Sequence, residues 1–531
     1  PQEAGSMFSF RLSLDELEFR GKLECWVPHR SRWVFKNSWI TPLANPALDF
    51  AVVADSTRVC AIARERVLDR APLDPRFLIF THPAVLDALL AELETWPGDY
   101  TVIEMQDQSA RVRAGRFGTA PLYLAPAGKI LEGSWNLPDL RHLLSADRLR
   151  DRVTVRALTR QHRYSTDTLF RDVYRLTERA TASATPERFS IEYPKPAAHV
   201  MQPRKLRQGV DPIKEFDHLL TEKVSRYRCE PTEIGVELSG GVDSANVALS
   251  VARLFPQQVR SYGLIMPGDV GEQQRSRRDR FVQTIGTLDT TVTASHHPPF
   301  SPAGVRARGI PHDPAGAYYR EAFDVLREAA SAHHVRLLFT GHGGDELMAL
   351  SPDVPAALAA TQADVPWLTQ QAKEALEEVD VNLAPVPPVP LPALMAFIVR
   401  NPPYLQAGIW PVAPLADPTT SRFAEQLPVV WRRNKALLRE RLRRAGSTES
   451  DVAPSRPEHF HDLLQLGLRR CGLPLLRTML DDSVLVDCGY VDPDALTSAF
   501  RQAQGAKEVP SLLCDTLVLE TGLRSLLEGH Q

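Results

Sequence analysis

Cysteine is scarce in this 531-residue chain: there are six, at Cys25, Cys60, Cys229, Cys471, Cys488 and Cys514, with no Cys-x-x-Cys pair. Thiols scattered this way exclude a disulfide framework and a zinc-finger ligand set, and reduced cysteines in cytosol are expected. Long apolar runs are also missing. No stretch approaches the ~18 residues that a membrane-spanning helix needs. No basic segment leads into an apolar stretch with a small-residue cleavage site, so neither a membrane partner nor export is expected. Net charge is close to nil, at −3, and a balance of that kind does not call for nucleic acid. No internal repeat is present.

What remains is ordinary globular composition, 43% hydrophobic and 24% charged, over a length that calls for two to four compact units. Pro1 to Ser6, ending in Gly-Ser ahead of Met7, reads as an expression remnant, with the natural start at Met7. Short β-like runs follow at Ala51–Ala54, Thr101–Met105, Ala110–Ala114 and Leu122–Ala125, with a helical period over Val85–Leu93. The pattern predicts an α+β unit on antiparallel sheet over residues 7–204. Between about 185 and 211 it dissolves into Pro-Lys-Pro and Gln-Pro-Arg-Lys, the expected boundary. From 205 to 531 strands alternate with helices. A helix starts at Asp211, a strand runs Ile234–Leu238, a helix Ala245–Leu254, a strand Val259–Ile265, a helix Tyr318–Ala332 and a strand Arg336–Thr340. That alternation predicts a doubly wound parallel sheet over about 230–345, with a helical C-terminal part. Ala384 to Pro392 is proline-rich and reads as a rigid surface connection, and Arg275-Ser-Arg-Arg-Asp-Arg as a solvated helix face.

The most informative string is Glu237-Leu-Ser-Gly-Gly-Val-Asp-Ser-Ala, set between a buried strand and a helix. Gly240 and Gly241 let backbone amides approach a ligand, the helix start presents unpaired N–H groups, and Ser239 and Ser244 add hydroxyls, which together suit a di- or triphosphate. Asp243 would repel a bare phosphate, so its presence implies an intervening divalent cation, normally Mg2+. The string is neither Gly-x-Gly-x-x-Gly nor a Walker-type loop, which disfavours a dinucleotide fold and ordinary phosphoryl transfer.

This string resembles the loop of the PP-loop ATP pyrophosphatases, whose fold is that of the adenine nucleotide alpha hydrolases. A second, Leu338-Phe-Thr-Gly-His-Gly-Gly-Asp-Glu-Leu, also follows a strand. It resembles the Gly-x-Gly-Gly-Asp-Glu element of the asparagine synthetase superfamily, which includes β-lactam synthetase and the lasso-peptide cyclases. The resemblance covers about 205–531. It implies ATP and Mg2+ as cofactors, with Asp243 and Asp345 as metal ligands. It further implies Leu238, Ser239, Gly240, Gly241, Asp243, Ser244, Leu264, Gly341 and Gly343 as the ATP-binding set, Leu264 walling the adenine.

In the N-terminal unit, Pro97-Gly-Asp-Tyr and Arg116-Phe-Gly-Thr-Ala-Pro-Leu-Tyr resemble the Ntn-type glutaminase sandwich of that superfamily. The glutaminase nucleophile is a Cys directly after the initiator Met; here Met7 is followed by Phe8. The resemblance therefore implies a degenerate glutaminase-like domain and an amine carried by the substrate itself. His342, at the variable position of the second loop, is the candidate general base, an imidazole of ordinary pKa near 6.5 being matched to neutral pH. Glu346 is a second candidate, for structural support or direct chemistry. Lys435-Ala-Leu-Leu-Arg-Glu follows the family run, but the catalytic Lys some 20 residues later is replaced by Glu458 within Arg456-Pro-Glu-His, which makes Arg456 and His459 candidate substitutes.

The expected function is an ATP-dependent, AMP-forming amide ligase that couples a small-molecule or peptide carboxylate to an amine. Lactam or macrolactam closure in natural-product biosynthesis is the favoured outcome, with a precursor peptide and leader protease as partners if the product is a lasso peptide. The alternatives are an ammonia-using, asparagine synthetase-like amidation and a catalytically impaired nucleotide-binding scaffold.

Overall fold

The structure, a computed structural model, describes residues 7–17, 26–73, 78–200, 202–227, 229–349, 363–456 and 458–527. The expected remnant at 1–6 and Cys25 lie outside them. Among the described residues no helix is long and apolar enough to cross a membrane.

The N-terminal unit is a sandwich of two seven-stranded sheets. In the first, Ser9–Ser13 lies antiparallel between Ile130–Ser134 and Ser38–Thr41. The second is centred on Leu48–Ala54, Val59–Glu65 and Tyr100–Gln106, again antiparallel, with the short Ile79–Phe80 added in parallel at its edge. Leu48–Ala54 and Val59–Glu65 are buried along their whole length, so they do not show the apolar–polar alternation of a half-exposed strand. Phe50, Val52 and Ala61 face the other sheet, while Ala51, Val53, Cys60 and Ile62 pack under Leu86, Leu90 and Leu93 of helix Pro83–Glu94. Burial pushes the Cys60 thiol up to about 12, which leaves it unreactive at neutral pH. The last strand of the sandwich, Phe189–Glu192, lies inside the segment expected to be linker.

Phe8, which the resemblance sets at the position of a glutaminase nucleophile, is sealed in this core. Its ring stacks on Trp135 at 4.5 Å, and Trp135 in turn meets Trp410 at 5.7 Å. Asp99 of the Gly-Asp-Tyr string is fully buried and accepts backbone N–H bonds from Tyr100, Phe117 and Thr119. It stitches a turn.

The second unit is built on a five-stranded, all-parallel sheet in the order Leu288–Thr293, Arg260–Ile265, Ile234–Glu237, Leu337–Phe339, Trp410–Val412. The expected extent of 230–345 is too short, because Trp410–Val412 comes from the C-terminal part. A three-residue strand interrupted by Pro411 has no periodicity to reveal it; Pro is tolerated because this is an edge strand. Helix Pro212–Ser225 begins as its sequence predicts, the Asp211 carboxylate accepting the Ile213 N–H at 3.0 Å, a cap worth about 1 kcal/mol. Beyond Trp410–Val412 the chain is helical.

The sandwich docks on the edge of the parallel sheet through Glu65. This fully buried carboxylate accepts from the Trp410 indole at 2.9 Å and the Tyr227 hydroxyl at 3.0 Å, with Arg226 3.8 Å away. Burial raises its pKa to about 6 despite these partners. The native state therefore holds a proton that the unfolded chain releases near 4.5, so Glu65 makes stability fall as pH rises from about 4.5 to 6, by about 2 kcal/mol in all. Thermal unfolding of Glu65→Gln and the parent at pH 4.5 and pH 7 is expected to show this: the variant gains on the parent at the higher pH. Equal differences at both pH values would refute the assignment.

Candidate active site

In a doubly wound sheet, ligands sit at the carboxyl ends of the strands where the order reverses. Here that point lies between Ile234–Glu237 and Leu337–Phe339, and the two strings singled out in the sequence are the loops leaving those strands. Helix Val242–Leu254 starts three residues earlier than its periodicity predicts, so Asp243 and Ser244 stand in its first turn. Gly241 precedes it and has no side chain to cap the first-turn N–H groups, which are left for a ligand. The loop is pinned from within: the Gly241 N–H donates to Ser239 Oγ at 3.2 Å, and the Ser239 N–H donates to Ser244 Oγ at 3.1 Å. Gly240 has φ +96°, a region that favours glycine.

The second loop lies directly against the first. A Cβ on Gly344 would stand 2.3 Å from Asp243 Cγ, and one on Gly341 2.7 Å from the Ser244 nitrogen. Gly343 is backed by Ala416 with as little room. Only glycine permits this approach.

The result is convergence of the two expected metal ligands on one cation, the ammonium of Lys435. Its Nζ lies 2.6 Å from Asp243 Oδ2 and 2.5 Å from Asp345 Oδ1. Burial works to lower the Lys435 pKa, but Asp243 and then Asp345 outweigh it and hold the ammonium charged. Burial pushes Asp243 upward against that pull, and Asp243 Oδ1 is buried with no hydrogen-bond partner. Asp345 is largely exposed. Lys435 is aimed by two consecutive residues in the left-handed region, Asn434 (φ +52°) and Lys435 itself (φ +56°), a local strain of order 1–3 kcal/mol each. The sequence shows Lys435 within a family run but carries no sign that it reaches this site.

The run Arg275–Arg280 is not the solvated face expected of it. Arg275 and Arg280 are exposed, but Arg277 and Arg278 are buried. Arg277 donates from Nε to the Gly240 carbonyl at 2.7 Å and is ion-paired with Glu458. Arg278 donates to the Leu238 carbonyl and pairs with Asp289. Gln274 donates to the Ser239 and Leu264 carbonyls at 2.7 and 2.9 Å, tying the loop to the neighbouring strand end. Leu238 and Leu264 are core residues, 0% and 5% exposed. Of the segment after the helices, Glu458 reaches the loop, its carboxylate 3.4 Å from where a Gly241 Cβ would be, whereas Arg456 and His459 are exposed.

His342 sits over Phe397 of helix Leu391–Gln406, ring centroids 6.3 Å apart. From the same helix Arg400 and Tyr404 bond Glu237 at 3.0 and 2.7 Å. Burial and then Arg400 press the imidazole down to about 4, against the pull of Glu237. That corrects the expectation of a ring titrating near 6.5: His342 is neutral throughout physiological pH and a weaker base. Burial also raises the Glu346 carboxyl.

A sequence model of the asparagine synthase family matches residues 215–390, a stretch that contains both loops. No curated protein matches the chain. Among solved structures, the NH3-dependent NAD synthetase of Campylobacter jejuni aligns at 16% identity and TM-score 0.17, over 26% of this chain and 58% of that one. The chain thus spans well under two thirds of that enzyme. The glutamine phosphoribosylpyrophosphate amidotransferase of B. subtilis aligns at 11% identity and TM-score 0.21, over 56% and 77%. The U34-tRNA thiolase of Methanococcus maripaludis aligns at 14% and 0.22, over 47% and 84%. Similarities with TM-scores this low carry no functional weight.

Lys435→Met leaves two facing carboxylates without their counter-charge. Partial exposure tempers the cost, and ligand-free stability is expected to drop by about 1–2 kcal/mol. Mg2+ is then expected to raise the variant's melting temperature more than the parent's. Equal Mg2+ shifts in the two proteins would show that Asp243 and Asp345 do not share a cation.

Proposed function

We propose that this protein is an ATP-dependent, AMP-forming amide ligase that adenylates a substrate carboxylate and couples it to an amine. The observation that carries the reading is the meeting of Asp243 and Asp345 on one cation beside the Ser239–Ser244 loop. The match of residues 215–390 to the asparagine synthase family supports it.

The residues fit Mg2+ bound with a triphosphate. Two carboxylates converge on a point already shown to hold positive charge, and Asp243 Oδ1 is a buried, unbonded acceptor. Among the described residues no cluster of three or more metal-ligating side chains exists, so phosphate oxygens would complete the shell. When bound, the metal offsets charge on the leaving pyrophosphate. The chain's own part is positional. First-turn N–H groups of Val242–Leu254 and the Ser239 and Ser244 hydroxyls hold phosphate oxygens. Lys435, released from the carboxylates, keeps its charge beside them. Arg277, rather than Arg456 or His459, supplies the cation missing where Glu458 replaces lysine. The carboxylate attacks the α-phosphorus and expels pyrophosphate. The amine then attacks the acyl-adenylate carbonyl and AMP leaves. His342, neutral at pH 7, accepts a proton from the amine, and Glu346 supports the loop. With Phe8 buried at the position that the resemblance gives to a glutaminase nucleophile, the reading takes an amine borne by the substrate, and hence lactam or macrolactam closure. A peptide product would bring a precursor peptide and leader protease as partners.

ATP–pyrophosphate exchange over a panel of carboxylates is the test. Exchange with one acid, abolished in Asp243→Asn and accompanied by AMP, is expected; ADP as product refutes the mechanism. Dependence of amide formation on added ammonium would favour the ammonia-using alternative, and ATP binding without exchange an impaired scaffold.

His342→Ala is expected to keep exchange while slowing amide formation about 100-fold. In NMR titration the His342 ring is expected to take up its proton near pH 4, and a midpoint above 6 would refute the burial argument.

A further inference from the structure

A cavity of about 210 Å³ lies between the sandwich unit and helix Leu391–Gln406. One wall is apolar, formed by Leu137, Leu169 and Ile398. Against it stand Arg152, Arg156 and Arg163. None of the loop residues from 239 to 244 or 341 to 346 lines it.

The three guanidinium groups share one carboxylate, Asp380, which comes from the connection ahead of the proline-rich segment. Arg156 is ion-paired with it, Arg163 Nε lies 3.2 Å away and Arg152 Nε 3.8 Å. Asp167 gives Arg152 a second partner at 3.3 Å. Arg152 and Arg156 are 9% and 6% exposed, and the Nε of each is buried without a hydrogen-bond partner. Burial, then the neighbouring Arg163 and Arg152, lower the Arg156 pKa to about 10. His162, also on the wall, is held below its ordinary value by burial and adds no charge at neutral pH. Asp380, Asp167 and, at 4.0 Å, Glu378 offset much of the guanidinium charge, but buried donors are rarely left unpaired, and Arg152 Nε and Arg156 Nε favour a further acceptor.

The connection that carries Asp380 is tied down on both sides. The Arg152 guanidinium donates to the Val379 carbonyl at 2.5 Å, Asn382 donates to Asp167 at 3.2 Å, and the Ala384 N–H donates to the Tyr164 carbonyl at 2.9 Å. Val379 and Val381 are 78% and 74% exposed, and the strap meets the cavity through Asp380, Asn382 and Leu383.

We infer that this cavity is a binding site for an organic carboxylate with an apolar body, the acid pairing with Arg152 and Arg156 where Asp380 now serves as a built-in substitute. The inference stands apart from the adenylation chemistry, since no loop residue takes part. The ligand is either an acyl donor on its way to the loops or an effector that stays in place.

Calorimetric titration of the full chain with octanoate and with octanamide tests it. Octanoate is expected to bind at one site at least about 10-fold tighter than the amide, the difference that a charge-assisted pair supplies. Arg156→Gln is expected to remove that preference. Asp380→Asn, which takes away the internal competitor, is expected to tighten octanoate binding about 3-fold or more, a gain that misfolding cannot imitate. Asp243→Asn is expected to leave binding unchanged. Equal affinity for acid and amide, weaker binding in Asp380→Asn, or loss of binding in Asp243→Asn would each overturn the assignment. Octanoate that also supports ATP–pyrophosphate exchange is an acyl donor; binding without exchange marks an effector. Either result upholds the site, and absence of exchange with every acid leaves it standing while removing the adenylation reading.

Discussion

Two carboxylates held against one ammonium set the terms for the parallel-sheet half of this molecule. Asp243 and Asp345 both touch Lys435 Nζ, so their oxygens lie within about 5 Å of each other. At an effective dielectric constant near 20, two like charges at that separation repel by about 3 kcal/mol. A cation between them offsets that repulsion, part of which solvent screens at the exposed Asp345. The ammonium fills that role in the structure, and any divalent ion arriving with a triphosphate would have to take over from it.

That constraint explains several features at once. Gly341 and Gly344 are needed because the second loop must lie on the helix start that carries Asp243. Asn434 and Lys435 are held in left-handed backbone because the ammonium must turn back toward the loops. The Arg277–Glu458 pair grips the other side of the diglycine turn through the Gly240 carbonyl. A lysine in place of Glu458 would set two cations side by side, whereas the acid pairs with Arg277 and holds it against the Gly240 carbonyl.

Local chemistry was readable in the sequence, and long-range partnership was not. Ser239–Ser244 and Gly341–Glu346 announce themselves through glycine spacing and flanking strands, and the order of strands and helices pointed to a doubly wound sheet. Strand Leu288–Thr293 leaves no such signal, and of helix Gly268–Ile285 only Arg275–Arg280 reads as helical. The strand alternates Leu, Asp, Thr, Thr, Val, Thr on a partly exposed edge, and the helix is rich in Arg, Gln and Asp. Trp410–Val412 is too short for any period. Lys435 lies 192 residues from Asp243 and Glu458 181 from Arg277. Neither pairing leaves a mark in local pattern. The same holds for Arg277 and Arg278, where a run of arginines reads as solvated although half of them are buried by tertiary contacts. The pKa of His342 is not legible for a similar reason: an imidazole's ordinary value says nothing of its burial in the fold, nor of Arg400, which comes from a helix more than 50 residues away in sequence.

The sandwich unit has a physical role whether or not it ever performs chemistry. Trp410–Val412 is the edge strand of the parallel sheet, and an open edge is a liability. Phe8, Trp135 and Glu65 cover it, and Asn45 donates from its side chain to the Arg336 and Gly408 carbonyls at 2.9 Å each, just ahead of the last two strands. The strand leads straight into Ala416, which backs Gly343 and so positions the loop bearing Asp345. Removing the sandwich would expose the strand, loosen Ala416 and let Asp345 drift from Asp243. That purpose needs a large buried ring at position 8, and covering the edge strand is a sufficient physical reason for the unit.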